Sequence, residues 1–96
     1  MTMDKEEARA LLASYLASYR TESHQRLQRL LESPEGQLVV GTSGAQYYVA
    51  VEAVWDDTSG GDLRVIGSIE SKGLLSSLSP LCDDFILSPN GHFVGE

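Results

Sequence analysis

Residues 37–55, QLVVGTSGAQYYVAVEAVW, carry the reading of the fold. They open on a short apolar run, pass through a Gly-Thr-Ser-Gly turn, and continue with Tyr47, Val49, Val51, Ala53 and Trp55 alternating against Tyr48, Ala50, Glu52 and Val54. A period of two is the mark of a strand, because successive side chains point to opposite faces. Two such runs around a glycine-bounded turn read as an antiparallel hairpin. Downstream, DDTSGGD (56–62) supplies the next turn and LRVIGSIE (63–70) the next strand, with Leu63, Val65, Gly67 and Ile69 on one face and Arg64, Ile66, Ser68 and Glu70 on the other.

Upstream the period lengthens. Ala8, Leu11, Leu12, Tyr15, Leu16 and Tyr19 recur at three- and four-residue steps and so lie on one helical stripe. Asp4 is placed to cap that helix, with Glu7 completing a capping-box pair. A second stripe, Leu27, Leu30 and Leu31, follows RTESHQ and stops before Pro34 and Gly36, with Thr21 or Ser23 available as its cap. The reading is two helices with a bend. SKGLLSSLSPLC (71–82) is ambiguous between a crossing loop and a helical turn. The ending, CDDFILSPNGHFVGE (82–96), reads as a final hairpin turning at Ser88-Pro89-Asn90-Gly91, with Phe85 and Leu87 on one face, Ile86 on the other, and Phe93 returning to close the core.

Ninety-six residues suffice for one domain with a single core. Helices first and strands afterwards predict an α+β fold: one N-terminal helix or a helix pair (residues 1–35) packed on one face of an antiparallel sheet of about three to five strands (residues 36–96). Tyr48, Ala50, Val54 and Ile66 leave the opposite face too apolar for simple solvation, so either the LLSSL segment or a partner is expected to cover it.

VWDD (54–57), GGDLRVIGSIE (60–70) and DDFILSPNGHFVGE (83–96) together resemble a family of small bacterial proteins of unknown function. That family tends to show Trp-Asp-Asp, a Gly-Ser-Ile-Asp strand and a Pro-Asp-Gly-x-Phe-Val-Gly-Glu ending. The resemblance spans roughly residues 44–96, with Glu70 and Asn90 standing where the family pattern has Asp. It implies boundaries for the later part of the chain and no activity.

Charge is uneven, with a net of −1 over residues 1–36 and −6 over residues 37–96. A surface of that sign repels phosphate backbones and anionic lipid, which disfavours nucleic-acid and membrane partners. There is no apolar run of spanning length, and MTMDKEEARA has acids where a signal peptide needs bases, so a cytoplasmic location is expected. Cys82 is a single thiol beside Asp83 and Asp84, which oppose its ionisation; a buried, inert thiol is expected.

No assembled catalytic set is legible. Ser43 lies outside any Gly-x-Ser-x-Gly frame, no glycine-rich phosphate loop precedes a helix, and His24 and His92 have no partner at zinc-ligand spacing. The acidic loop fails the EF-hand spacing. An acid/histidine pairing of His92 with Asp83 or Asp84 ranks below a plain structural hairpin. The expected function is therefore a non-enzymatic protein-protein interaction module, self-associating or docking to a partner, with no cofactor. The alternative is a small-ligand or divalent-cation binder using the acidic loops. The candidate binding residues are Asp56, Asp57, Asp62, Tyr48 and Arg64.

Overall fold

A computed structural model of the protein describes residues 5–71 and 80–96. It is an α+β fold. The first helix, α1 (Lys5–Tyr19), is followed by one short turn, α2 (His24–Leu27), which runs into a 3₁₀ turn (Gln28–Leu31). Four strands follow: β1 (Glu35–Val40), β2 (Gln46–Trp55), β3 (Leu63–Ser71) and β4 (Leu81–Leu87). They form an antiparallel meander in the order β1-β2-β3-β4.

The expected helix pair is present. The chain bends at Thr21-Glu22-Ser23, where the Ser23 hydroxyl accepts the Arg26 N–H at 3.1 Å and so starts the second segment. The strands begin one residue earlier than expected, at Glu35 directly after Pro34.

One face of the sheet is covered by the helices. Ala8, Leu12, Leu16 and Tyr19 of α1, with Leu27 and Leu30, pack against Tyr47, Val49, Val51, Ala53, Leu63, Val65, Ile69, Phe85 and Leu87, all buried. Burying a side chain of this size stabilises by about 1.5–3 kcal/mol, so this stripe-on-sheet contact holds the domain together. The approach is closest at Gly67 of β3, where an added Cβ would lie 2.9 Å from methyl carbons of Leu12 and Leu16. α1 thus rests almost directly on the backbone of β3.

Two polar clusters lock the helices in place. The Arg29 guanidinium donates to both Glu22 oxygens, at 2.7 and 3.1 Å, and from Nε to Glu35 Oε2 at 2.8 Å. Glu35 Oε1 in turn accepts from the Tyr19 hydroxyl at 2.8 Å. Burial, reinforced by that bond, pushes the Tyr19 phenol far above its ordinary range. At the other end of the helical segment, His24 Nε2–H donates to the Gly61 carbonyl at 2.7 Å, while Nδ1 accepts from the Gln28 amide at 3.2 Å. Those partners assign the tautomer, and the ring lies 5.9 Å from that of Trp55. Among the described residues every buried side-chain polar atom has a partner.

Both the β1–β2 connection and the C-terminal turn are built alike. Gly44 N–H bonds the Gly41 carbonyl and Gly41 N–H bonds that of Ala45, each at 2.9 Å. Gly91 N–H bonds the Ser88 carbonyl at 2.9 Å and Ser88 N–H that of His92 at 2.8 Å. Gly44 and Gly91 take φ of +90° and +86°, which L side chains rarely adopt, so each turn closes as a bulged three-residue hairpin. The tail then bridges Leu87 through Phe93. The Phe85 and Phe93 rings meet edge to face at 5.7 Å, and the Arg20 guanidinium, paired with Glu96, lies 4.1 Å from the Phe93 ring centre. The C-terminal stretch is a structural hairpin, as its pattern predicted. The expected Asp4 cap and the LLSSL segment fall outside the described residues.

Candidate interaction surface

The sheet face turned away from the helices is assembled from strand parity. Leu38 pairs with Tyr48, which pairs with Glu70; Glu52 pairs with Ile66, which pairs with Asp84; Val54 pairs with Arg64, which pairs with Ile86. Side chains opposite one another across strands share a face, so these rows stack into one surface. Its apolar members are open: Leu38 is 52 % exposed, Val40 63 %, and Tyr48 and Val54 43 % each. Ala50, Ile66 and Ile86 are half-buried between them.

The rim is charged. Glu52 and Glu70 are exposed, and Arg64 joins Asp56 and Asp84 across three segments. Its Nη2 and Nε donate to Asp56 Oδ1 at 2.8 and 3.1 Å, and Nη1 donates to Asp84 Oδ2. The two carboxylates hold the guanidinium charged, raising its pKa further. Exposed ion pairs of this kind contribute little to stability. Here their effect is to fix the Arg64 guanidinium on the face it shares with its cross-strand neighbours Val54 and Ile86.

Of the candidate binding residues, the structure brings Asp56 and Arg64 into direct contact and puts Tyr48 on the same face as Arg64. Asp57 stands exposed in the turn and Asp62 half-buried at its end, where its carbonyl accepts the Asp56 N–H at 2.9 Å. Among the described residues no three His, Cys, Asp or Glu side chains converge as a metal-ligating group.

The acid/histidine pairing is not assembled. His92 is exposed, with its backbone bonded to Ser88, while Asp84 points to Arg64 on the open face. Asp83 Oδ1 accepts the Asp84 N–H at 2.8 Å, the local role expected of a strand-entrance carboxylate. Cys82 corrects an expectation. It is exposed rather than buried, because the parity that aims Phe85 and Leu87 at the core turns residue 82 outward opposite Ser68.

Glu7 was expected to serve its own helix. Its carboxylate also reaches across the fold to the β1–β2 turn, where Oε2 accepts the Ser43 N–H at 2.9 Å and the Thr42 hydroxyl at 3.2 Å, and Oε1 accepts the Ser43 and Tyr47 hydroxyls at 2.7 Å each. Those donors, Ser43 and Tyr47 foremost, hold its pKa down to about 2. No pattern in the sequence announces a contact between residues 36 positions apart. The nearest signal was the cluster of hydroxyls in the turn.

No family model, no curated protein and no solved structure matches this chain. The surface is therefore read from its own chemistry. Among the described residues no helix is long and apolar enough to cross a membrane.

Proposed function

We propose that this protein is an interaction module that docks a protein partner on the open face of its sheet. The observation that carries the reading is the apolar row of Leu38, Val40, Tyr48 and Val54, exposed together on one face and framed by Glu52, Glu70 and the Asp56–Arg64–Asp84 group. An apolar centre inside a polar rim is the arrangement protein interfaces share, and an amphipathic aromatic such as Tyr48 is the residue type that anchors them. The acidic rim suits a partner whose own rim is basic, and steers its approach. A cytoplasmic setting fits the exposed Cys82 thiol, which stays reduced there.

Comparative capture from the native host, with quantitative mass spectrometry, tests the reading. Tyr48→Asp and Val54→Asp should each deplete the partner recovered by the unaltered protein. Converting Asp56, Asp57 and Asp62 to asparagine should slow association and weaken its salt dependence, with little change in stability. Equal recovery by all these variants contradicts the assignment.

A further inference from the structure

The two edges of the sheet differ in how they are protected. On β4, Val94 N–H bonds the Ile86 carbonyl at 2.8 Å and Phe93 bridges Leu87, so the tail occupies part of the outer edge. The remainder carries Asp83 and Asp84, and charge on an edge discourages strand addition. On β1 the outer edge meets no strand among the described residues, and Gly36-Gln37-Leu38-Val39-Val40 carries no charge. The hydrogen-bond phase is set by the Gly41–Ala45 bond. Bonded and non-bonded pairs alternate along an antiparallel ladder, so Gln37 and Val39 turn their backbone groups toward β2, and Gly36, Leu38 and Val40 turn theirs outward.

We infer that β1 pairs with β1 of a second copy, antiparallel about a two-fold axis at Leu38, joining the two sheets edge to edge. The outward groups are symmetric about that residue. Leu38 meets its own counterpart and Gly36 meets Val40, so every outward N–H and C=O of the three residues finds a partner, as an isologous interface requires. Charge selects the same place. In a chain of net charge −7, residues 36–51 form the longest uncharged run, 16 residues, so β1 between Gly36 and Val40 brings no carboxylate of its own to the seam, and the flanking ones are engaged, Glu7 by Ser43 and Glu35 by Arg29. The side chains also fit. The Tyr48 phenol overlies Gly36, where an added Cβ would lie 2.5 Å from its hydroxyl, and Val40 of the second copy, opposite Gly36, packs beside that ring. A single short strand edge falls at the small end of interface sizes, so the pairing is weak and reversible. It goes beyond the docking reading and does not depend on it, because the bonds lie along the edge rather than on the face.

Sedimentation velocity of the full chain across a concentration series tests it, alongside amide hydrogen exchange at the two ends of the series. The expected result is a dimer that dissociates on dilution, with exchange at Gly36, Leu38 and Val40 slowed only at high concentration. Leu38→Lys, which sets like charges against each other on the axis at an already exposed position, should weaken dimerisation at least tenfold. Val54→Lys, on the open face but away from β1, should leave it unchanged. A monomer at every concentration, a dimer without slowed exchange at those three amides, or a dimer lost in Val54→Lys and kept in Leu38→Lys would each overturn the edge pairing. Partner capture through Val54, which lies away from β1, is read separately, so neither result stands in for the other.

Discussion

At the residue scale, Glu7 shows how one carboxylate ties the N-terminal helix to the first hairpin. Its pKa is about 2 in the folded state against the ordinary 4.5. A carboxyl whose folded pKa is depressed stabilises the fold above its unfolded value, and that stabilisation fades as pH falls from about 4.5 toward about 2. Glu22, Glu35 and Glu96 shift in the same direction through Arg29 and Arg20, and add to the same acid limb. Denaturant unfolding followed across this range should show stability dropping with acid. In Glu7→Gln the stability at neutral pH should be lower and the acid slope shallower. An unchanged slope would mean that the turn does not hold the carboxylate. Gly67 makes the second point at this scale. Gly67→Ala drives a methyl into Leu12 and Leu16, and overpacking of that kind costs about 1–3 kcal/mol, measurable in the same unfolding experiment.

At the scale of elements, α1 and the sheet were legible because both obey simple periods. Ala8, Leu12, Leu16 and Tyr19 keep the helical step, and Tyr47 through Trp55 keep the alternation, so burial follows directly from sequence spacing. Leu12→Ala should therefore cost about 2–5 kcal/mol, the range of large-to-small changes in a packed core. A loss below about 1 kcal/mol would place the stripe outside it. The C-terminal turn was legible too, since Gly91 sits where a left-handed residue is needed after Pro89 and Asn90. The crossing of Glu7 to Ser43, the latch of His24 on Gly61 and the grouping of Arg64 with Asp56 and Asp84 were not. Each joins elements far apart in sequence through one side chain, and no local period records which distant carbonyl or hydroxyl that side chain will meet. The apolar character of the second face was legible from the parity of Tyr48, Ala50, Val54 and Ile66, whereas the exposure of Cys82 required the register of β4.

At the scale of the whole molecule, the tail closes the core at the end opposite the β1–β2 turn. Phe93 meets Phe85 edge to face and lies beneath the Arg20 guanidinium, which Glu96 holds. Removing residues 92–96 should destabilise the domain by about 2–3 kcal/mol, the scale of exposing one large aromatic, whereas His92→Ala should be nearly silent because that side chain is exposed. Calorimetry of the two variants distinguishes them, and an unperturbed truncation would remove Phe93 from the core. Among the described residues one face of the sheet is sealed by helices and the other is open, and the proposed role rests on that asymmetry. Site-specific photo-crosslinking in the native host tests it most directly, with the reactive group placed at Val54 on the open face or at Ser14 on the exposed side of α1. The account predicts a discrete partner adduct from position 54 and none from position 14; an adduct from position 14 alone, or none from either, would contradict it.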